Sequence, residues 1–208
     1  MNYLEALSKR YSVKKFNSEI IPQETLQNIL QSGKLAASSL GLQPYKILVV
    51  ESEEMKKKLI PAFYNPSQVS TCSHLIVIIS KRSINENYIN GYFNHISEVR
   101  NVTVESLDPF KNNIHHHINE KNDEEIFNWA EKQSYIVLAN LMYAAAIENI
   151  DTCPMEGFRQ DVIEEILNID PEAEKVTVTL ALGYRSGEDS FQHMKKVRKP
   201  DDKLFKFI

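Results

Sequence analysis

Residues 135–147, YIVLANLMYAAAI, constrain this chain more than any other stretch, because the helix they would form is apolar on nearly every side. The run is interrupted by Asn140 and is shorter than the roughly 20 apolar residues a membrane-spanning helix needs. It therefore reads as a buried core helix, and no membrane partner is expected. A chain of 208 residues would struggle to cover such a helix alone, and a subunit interface is one way to bury it. The helix is expected to start at Asp123, as its cap, and to run to Ile150.

Other elements are arranged around it. A short helix is expected over 3–9, and a second opens at Pro22, whose missing N–H costs nothing in a first turn, and continues to Ser38. Strands are expected over 46–50, over 75–80 and from Lys175 to about Gly183. The run LIVIIS (75–80) is continuously apolar, as in a central strand covered by helices on both faces. Further helices read from EEMKKKLIPA (53–62), stopped near Pro61, and RQDVIEEILNI (159–169). Between Ile84 and Asn122 the chain is polar and aromatic, with a helix expected only near 91–100. With 42% hydrophobic residues and no linker-like stretch, the whole of 1–208 reads as a single α+β domain carrying a variable lid or insertion about 84–122.

Charge is unevenly placed. The formal net charge is −4, yet residues 1–20 carry +2 and residues 193–206 carry +4, leaving −10 for the rest. That acidity argues against a nucleic-acid partner, while the two cationic ends could meet at an anion. In RYSVKKF (10–16), Arg10, Ser12 and Lys14 alternate, so an extended segment would point all three to one side. Only Cys72 and Cys153 are present, and MNYLEALSKRYS has no cationic start followed by an apolar run. A reducing cytoplasm is therefore the expected compartment.

RYSVKKF resembles the N-terminal signature of the FMN-dependent nitroreductase family. Four further blocks resemble that family in the same order: SSLGLQPY (38–45), YNPSQ (64–68), PMEGF (154–158) and KVR (196–198). The resemblance implies a nitroreductase-like fold, a central, mostly antiparallel sheet flanked by helices, in a homodimer where LFKFI could add to the partner's sheet. It implies noncovalently bound FMN, with Arg10, Lys196 and Arg198 around the phosphate, Tyr11 and Ser12 beside it, and Lys14 near the pyrimidine edge. Asn65 and Gln68 would read the uracil-like face, and Pro154, Met155, Glu156 and Gly157 would form the loop over the other face of the ring. The backbone N–H of Glu156 or Gly157 would point at the central ring nitrogen. Ala37, Ser38, Ser39 and Gly41 would come from the opposite subunit, with Gln133 also reaching across.

Three departures bear on chemistry: relatives often have Pro at Ala37, Asn at Gly41 and Lys at Gln68. The last keeps a donor and loses a charge, which would bias the flavin less strongly towards its reduced form. The implied activity is hydride transfer from NAD(P)H through FMN to a small-molecule acceptor, nitroaromatic or quinone, in a two-step exchange. No side chain serves as acid, base or nucleophile, since the chemistry belongs to the flavin. With no Gly-x-Gly-x-x-Gly loop, the nicotinamide nucleotide would be a transient co-substrate. Alternatives are another flavin reaction on this fold, such as dehalogenation or free-flavin or dihydropteridine reduction, and a non-catalytic flavin-binding module. The triplet His115, His116 and His117 diverges in direction, so solvated loop or lid histidines are expected and no metal site.

Overall fold

The computed structural model describes residues 2–208. Its strands are β1 (Tyr45–Val50), β2 (His74–Lys81), β3 (Asp151–Met155) and β4 (Glu174–Gly183). They form a sheet in the order β1-β2-β4-β3, with every neighbouring pair antiparallel. In chain order the helices are α1 (Tyr3–Lys9), α2 (Gln23–Lys34), α3 (Glu53–Leu59), α4 (Ser67–Thr71), α5 (Glu86–Arg100), α6 (Asp108–Asn119), α7 (Asp123–Ile147), α8 (Gln160–Ile166) and α9 (Asp201–Leu204).

The apolar run of β2 is explained by its neighbours. Leu75, Val77 and Ile79 enter one core with residues of α3, α4 and α8, while Ile76 and Ile78 enter a second core with α2 and α7. Successive side chains of a strand point to opposite faces, so a strand covered on both faces has no place for polar residues. A third core, built from Phe93, Ile96, Ile114, Ile118, Ile126 and Ala130, joins α5 and α6 to the first half of α7.

Several boundaries differ from the sequence reading. Asn122, not Asp123, caps α7: its side chain accepts the Glu125 N–H at 3.0 Å, and the Glu125 carboxylate accepts the Asn122 N–H at 2.9 Å. The helix ends at Ile147 because Asn149 turns left-handed, at φ 59°. Segment 84–122 holds two helices, held in place by the third core rather than by a strong pattern of their own. The histidine triplet lies on α6. His115 faces Glu86 at 3.6 Å, His116 pairs with Glu120 at 3.1 Å, and His117 is half-buried with its ring 5.7 Å from that of Trp129. β3 was not expected; it is a five-residue edge strand containing Pro154, a residue that cannot donate to the ladder. Among the described residues, no helix is long and apolar enough to cross a membrane.

Candidate active site

The N-terminal segment builds the site. After α1, Arg10 turns to extended backbone (φ −68°, ψ 142°), Ser12 pairs with Thr152 beside β3, and Phe16 pairs with Arg185 just past β4. Val13 and Phe16 go into the core while Arg10, Ser12 and Lys14 stay half-buried; Phe16, of the same parity as those three, is turned inward, so the alternation does not hold through to the end of the segment. Gly183 lets the segment lie this close: a Cβ there would sit 2.8 Å from the Phe16 ring and 3.2 Å from the Ser73 nitrogen.

Arg10, Tyr11, Ser12, Lys14, Lys196 and Arg198 line a cleft of about 580 Å³, together with Arg185 and Phe191. The two cationic ends of the chain therefore meet. Lys196 Nζ donates to the Arg10 carbonyl at 2.6 Å and also to that of Leu7, closing the C-terminal end of α1. Burial, and then Arg198, hold the Arg10 guanidinium below its ordinary pKa; burial, Arg10 and Arg198 do the same to the Lys196 ammonium. Among the described residues, none of Arg10, Lys14, Lys196 and Arg198 is in an ion pair, whereas the neighbours Lys9 and Lys15 are paired with Glu5 and Glu188. The cleft thus gathers four cations that have no ion-pair partner of their own.

Asp189, only 3% exposed, holds this arrangement and was not singled out from the sequence. Its carboxylate accepts the N–H of Lys14 at 2.7 Å, of Lys15 at 3.3 Å and of Phe191 at 3.0 Å. Burial pushes its pKa up, but these three donors outweigh that effect and hold it below the usual value. Arg185 was missed too: it pairs with Asp151 through Nε at 3.0 Å and lies 4.7 Å over the Tyr11 ring. The only local signal for Asp189 is its cap on the turn over 190–193.

A second group adjoins the first through β3. The buried amide of Gln68, on α4, directs Nε2 at Cys153 Sγ, 3.9 Å away, next to the Thr152 that pairs with Ser12. Asn65 is exposed in the turn before α4. That turn lies against Glu156 and Gly157: the Tyr64 N–H donates to the Gly157 carbonyl at 3.1 Å, and Phe63 pairs with Phe158. Pro154 and Met155 are the last two residues of β3, and Tyr135 of α7 donates its hydroxyl to the Glu156 carboxylate. Four buried polar atoms in these two groups have no partner: Arg10 Nε, Tyr11 Oη, Thr152 Oγ1 and Gln68 Oε1.

Ala37, Ser38, Ser39 and Gly41 form a third group away from the cleft. Gln133, 95% buried, accepts the Ser39 N–H at 2.8 Å and donates to the Trp129 carbonyl at 3.0 Å, so its amide is engaged within its own chain.

Fold and site together define an α+β protein with a cationic cleft at the meeting of its two termini. The nitroreductase family model matches residues 7–184. A Staphylococcus haemolyticus protein named "Putative NAD(P)H nitroreductase" is 34% identical over 215 residues, covering 99% of this chain and 96% of the relative. A solved "putative NAD(P)H:FMN oxidoreductase" of Staphylococcus epidermidis superposes with a TM-score of 0.87 at 27% identity, over 100% of this chain and 97% of that one. A "putative nitroreductase" of Exiguobacterium sibiricum, solved in complex with FMN, shares the fold at a TM-score of 0.86 and 23% identity, over 100% of this chain and 98% of that one. The chain belongs to the nitroreductase family of oxidoreductase enzymes.

Proposed function

We propose that the protein is a cytoplasmic, homodimeric FMN-dependent oxidoreductase that takes electrons from NAD(P)H and delivers them to small nitroaromatic or quinone acceptors. The observation that carries this reading is the set of four cations, Arg10, Lys14, Lys196 and Arg198, left without acidic partners at one cleft. The residues fit the cofactor. A phosphate carrying between one and two negative charges matches Arg10, Lys196 and Arg198, and Arg10 Nε is a buried donor without an acceptor. Gln68 Oε1 and Thr152 Oγ1 are buried groups awaiting hydrogen bonds, as the polar edge of a heterocycle would supply.

When bound, FMN would supply the redox chemistry, relaying a hydride equivalent between NAD(P)H and the acceptor. The chain's own residues hold, orient and stabilise. Lys14, kept in place by Asp189 through its backbone, would put a positive charge where the reduced ring gains negative charge. Asn65 and Gln68 would fix the pyrimidine edge, and Tyr135 would steady the loop over 154–157 through Glu156. Ala37, Ser38, Ser39 and Gly41 would face the partner's cofactor across the dimer. The outer face of α7 supports that assembly, with Tyr135, Ile136, Tyr143 and Ile147 all 37–41% exposed beside Leu4 and Leu7 of α1.

The purified protein should be yellow, bleach on addition of NADH or NADPH under nitrogen, and sediment as a dimer. A colourless protein that takes up no added FMN would refute the reading.

A further inference from the structure

The turn over 39–43 is strained. Leu40, Gly41 and Gln43 all have positive φ, at 58°, 71° and 45°, and two of the three carry side chains that disfavour it. Such backbone persists only where its surroundings over-determine it, and strain of this kind gathers at functional sites. Here the constraint comes largely from α5, in the variable segment. The Tyr92 hydroxyl donates to the Leu40 carbonyl at 3.0 Å, and the Tyr88 hydroxyl lies 2.8 Å from both the Leu42 and Gln43 carbonyls. Burial pushes the Tyr88 phenol up to about 12 and raises that of Tyr92, so both remain donors at neutral pH. From the other side Gln133 accepts the Ser39 N–H, and Ser38 Oγ accepts the Gln43 N–H at 3.0 Å. Gly41 is fitted to this clamp: a Cβ on it would collide with the Tyr92 hydroxyl, although the ring carbon bearing that hydroxyl would be 3.5 Å away.

We propose that Tyr92 is a positioning residue that locks the 39–43 turn in its left-handed shape and thereby sets the wall this turn presents to electron acceptors. The proposal rests on the reading above, in which residues 37–41 face the partner's cofactor. It gives the variable segment a route to acceptor choice that needs no contact between α5 and the acceptor. Tyr92 lies outside the cationic cleft, so cofactor affinity should be insensitive to it.

The test uses Tyr92→Phe, Gly41→Ala and the double variant in the full-length protein. Loss of one hydroxyl should speed hydrogen exchange at the Ser39, Gly41 and Gln43 amides about five- to tenfold in the protein without added FMN. In the FMN-loaded Tyr92→Phe enzyme the dissociation constant for FMN and kcat with 1,4-benzoquinone should stay within about twofold, while KM for a bulky nitronaphthalene shifts at least about threefold. Gly41→Ala should be more disruptive than Tyr92→Phe, and the double variant should be less perturbed than the two changes combined, because the colliding hydroxyl is gone. Unchanged exchange in Tyr92→Phe, additive effects in the double variant, or faster exchange with unaltered KM for both acceptors would each overturn the proposal while leaving the flavin reading intact. A protein that never takes up FMN would remove that reading and the proposal with it.

Discussion

Replacing Asp189 should cost more stability than any other single change in the cleft, and with a definite pH dependence. The carboxylate is buried and serves three backbone donors, from Lys14, Lys15 and Phe191. Hydrogen bonds to a charged group contribute roughly 1.5–3 kcal/mol each, but deletion also relieves the cost of burying the charge, so the sum overstates the loss. Asp189→Ala should therefore destabilise by about 3–4 kcal/mol, and Asp189→Asn, which keeps one acceptor oxygen, by about 1–2 kcal/mol. The native pKa lies below the unfolded value, so this stabilisation is complete above the unfolded carboxylate pKa of about 4 and is lost as pH falls through the folded value. Urea midpoints for the wild type and both variants at pH 7, 5 and 3.5 measure it: the gap between wild type and Asp189→Asn should hold from pH 7 to 5 and shrink at 3.5. A gap that widened on acidification, or an Asp189→Ala variant within about 0.5 kcal/mol of wild type, would show that the three donors find other partners.

Arg198→Ala should weaken FMN binding roughly ten- to hundredfold with little change in midpoint potential, since a phosphate contact is the same in both redox states. Lys14→Ala should instead make the potential more negative and slow reduction by NAD(P)H at saturating FMN; potentiometric titration of both loaded variants separates the roles. Gly183→Ala should lower Tm with a loss of about 1–3 kcal/mol, because the added methyl meets the Phe16 ring and a main-chain nitrogen that cannot easily move; calorimetry of the FMN-free protein measures it.

What was legible in the sequence is what local pattern dictates. The apolar run of β2 announces a strand covered on both faces, which follows from the two-residue period of extended chain, and the clustering of Arg10, Ser12 and Lys14 announces a cationic edge, although Tyr11 joins it and Phe16 leaves it against that period. β3 was hidden because an edge strand of five residues with a proline carries almost no pattern, and its membership is decided by β4 and by Ser12, far away in the chain. The helices α5 and α6 were hard to read for a related reason: Ile114 and Ile118 are buried by Ile126 and Ala130 of α7 and by Phe93 of α5. Asp189 was invisible as a site residue since its main partner, Lys14, is 175 positions away.

The arrangement of charge separates a solvated cationic end from a binding site more sharply than a count of lysines does. Lys9 and Lys15 flank the segment and each finds a carboxylate, Glu5 and Glu188, on the solvent side. Arg10 and Lys14, one residue inward from each, find none, and the chain returns from its far end to add Lys196 and Arg198 to the same cleft. Burial first, and then the repulsion of neighbouring like charges, disfavours the charged forms of Arg10 and Lys196 and lowers both pKa values. That repulsion is relieved when an anion enters. A fold that engages its one buried carboxylate beside these cations, Asp189, with backbone N–H groups rather than with their side chains leaves Arg10, Lys14, Lys196 and Arg198 free for a negatively charged ligand.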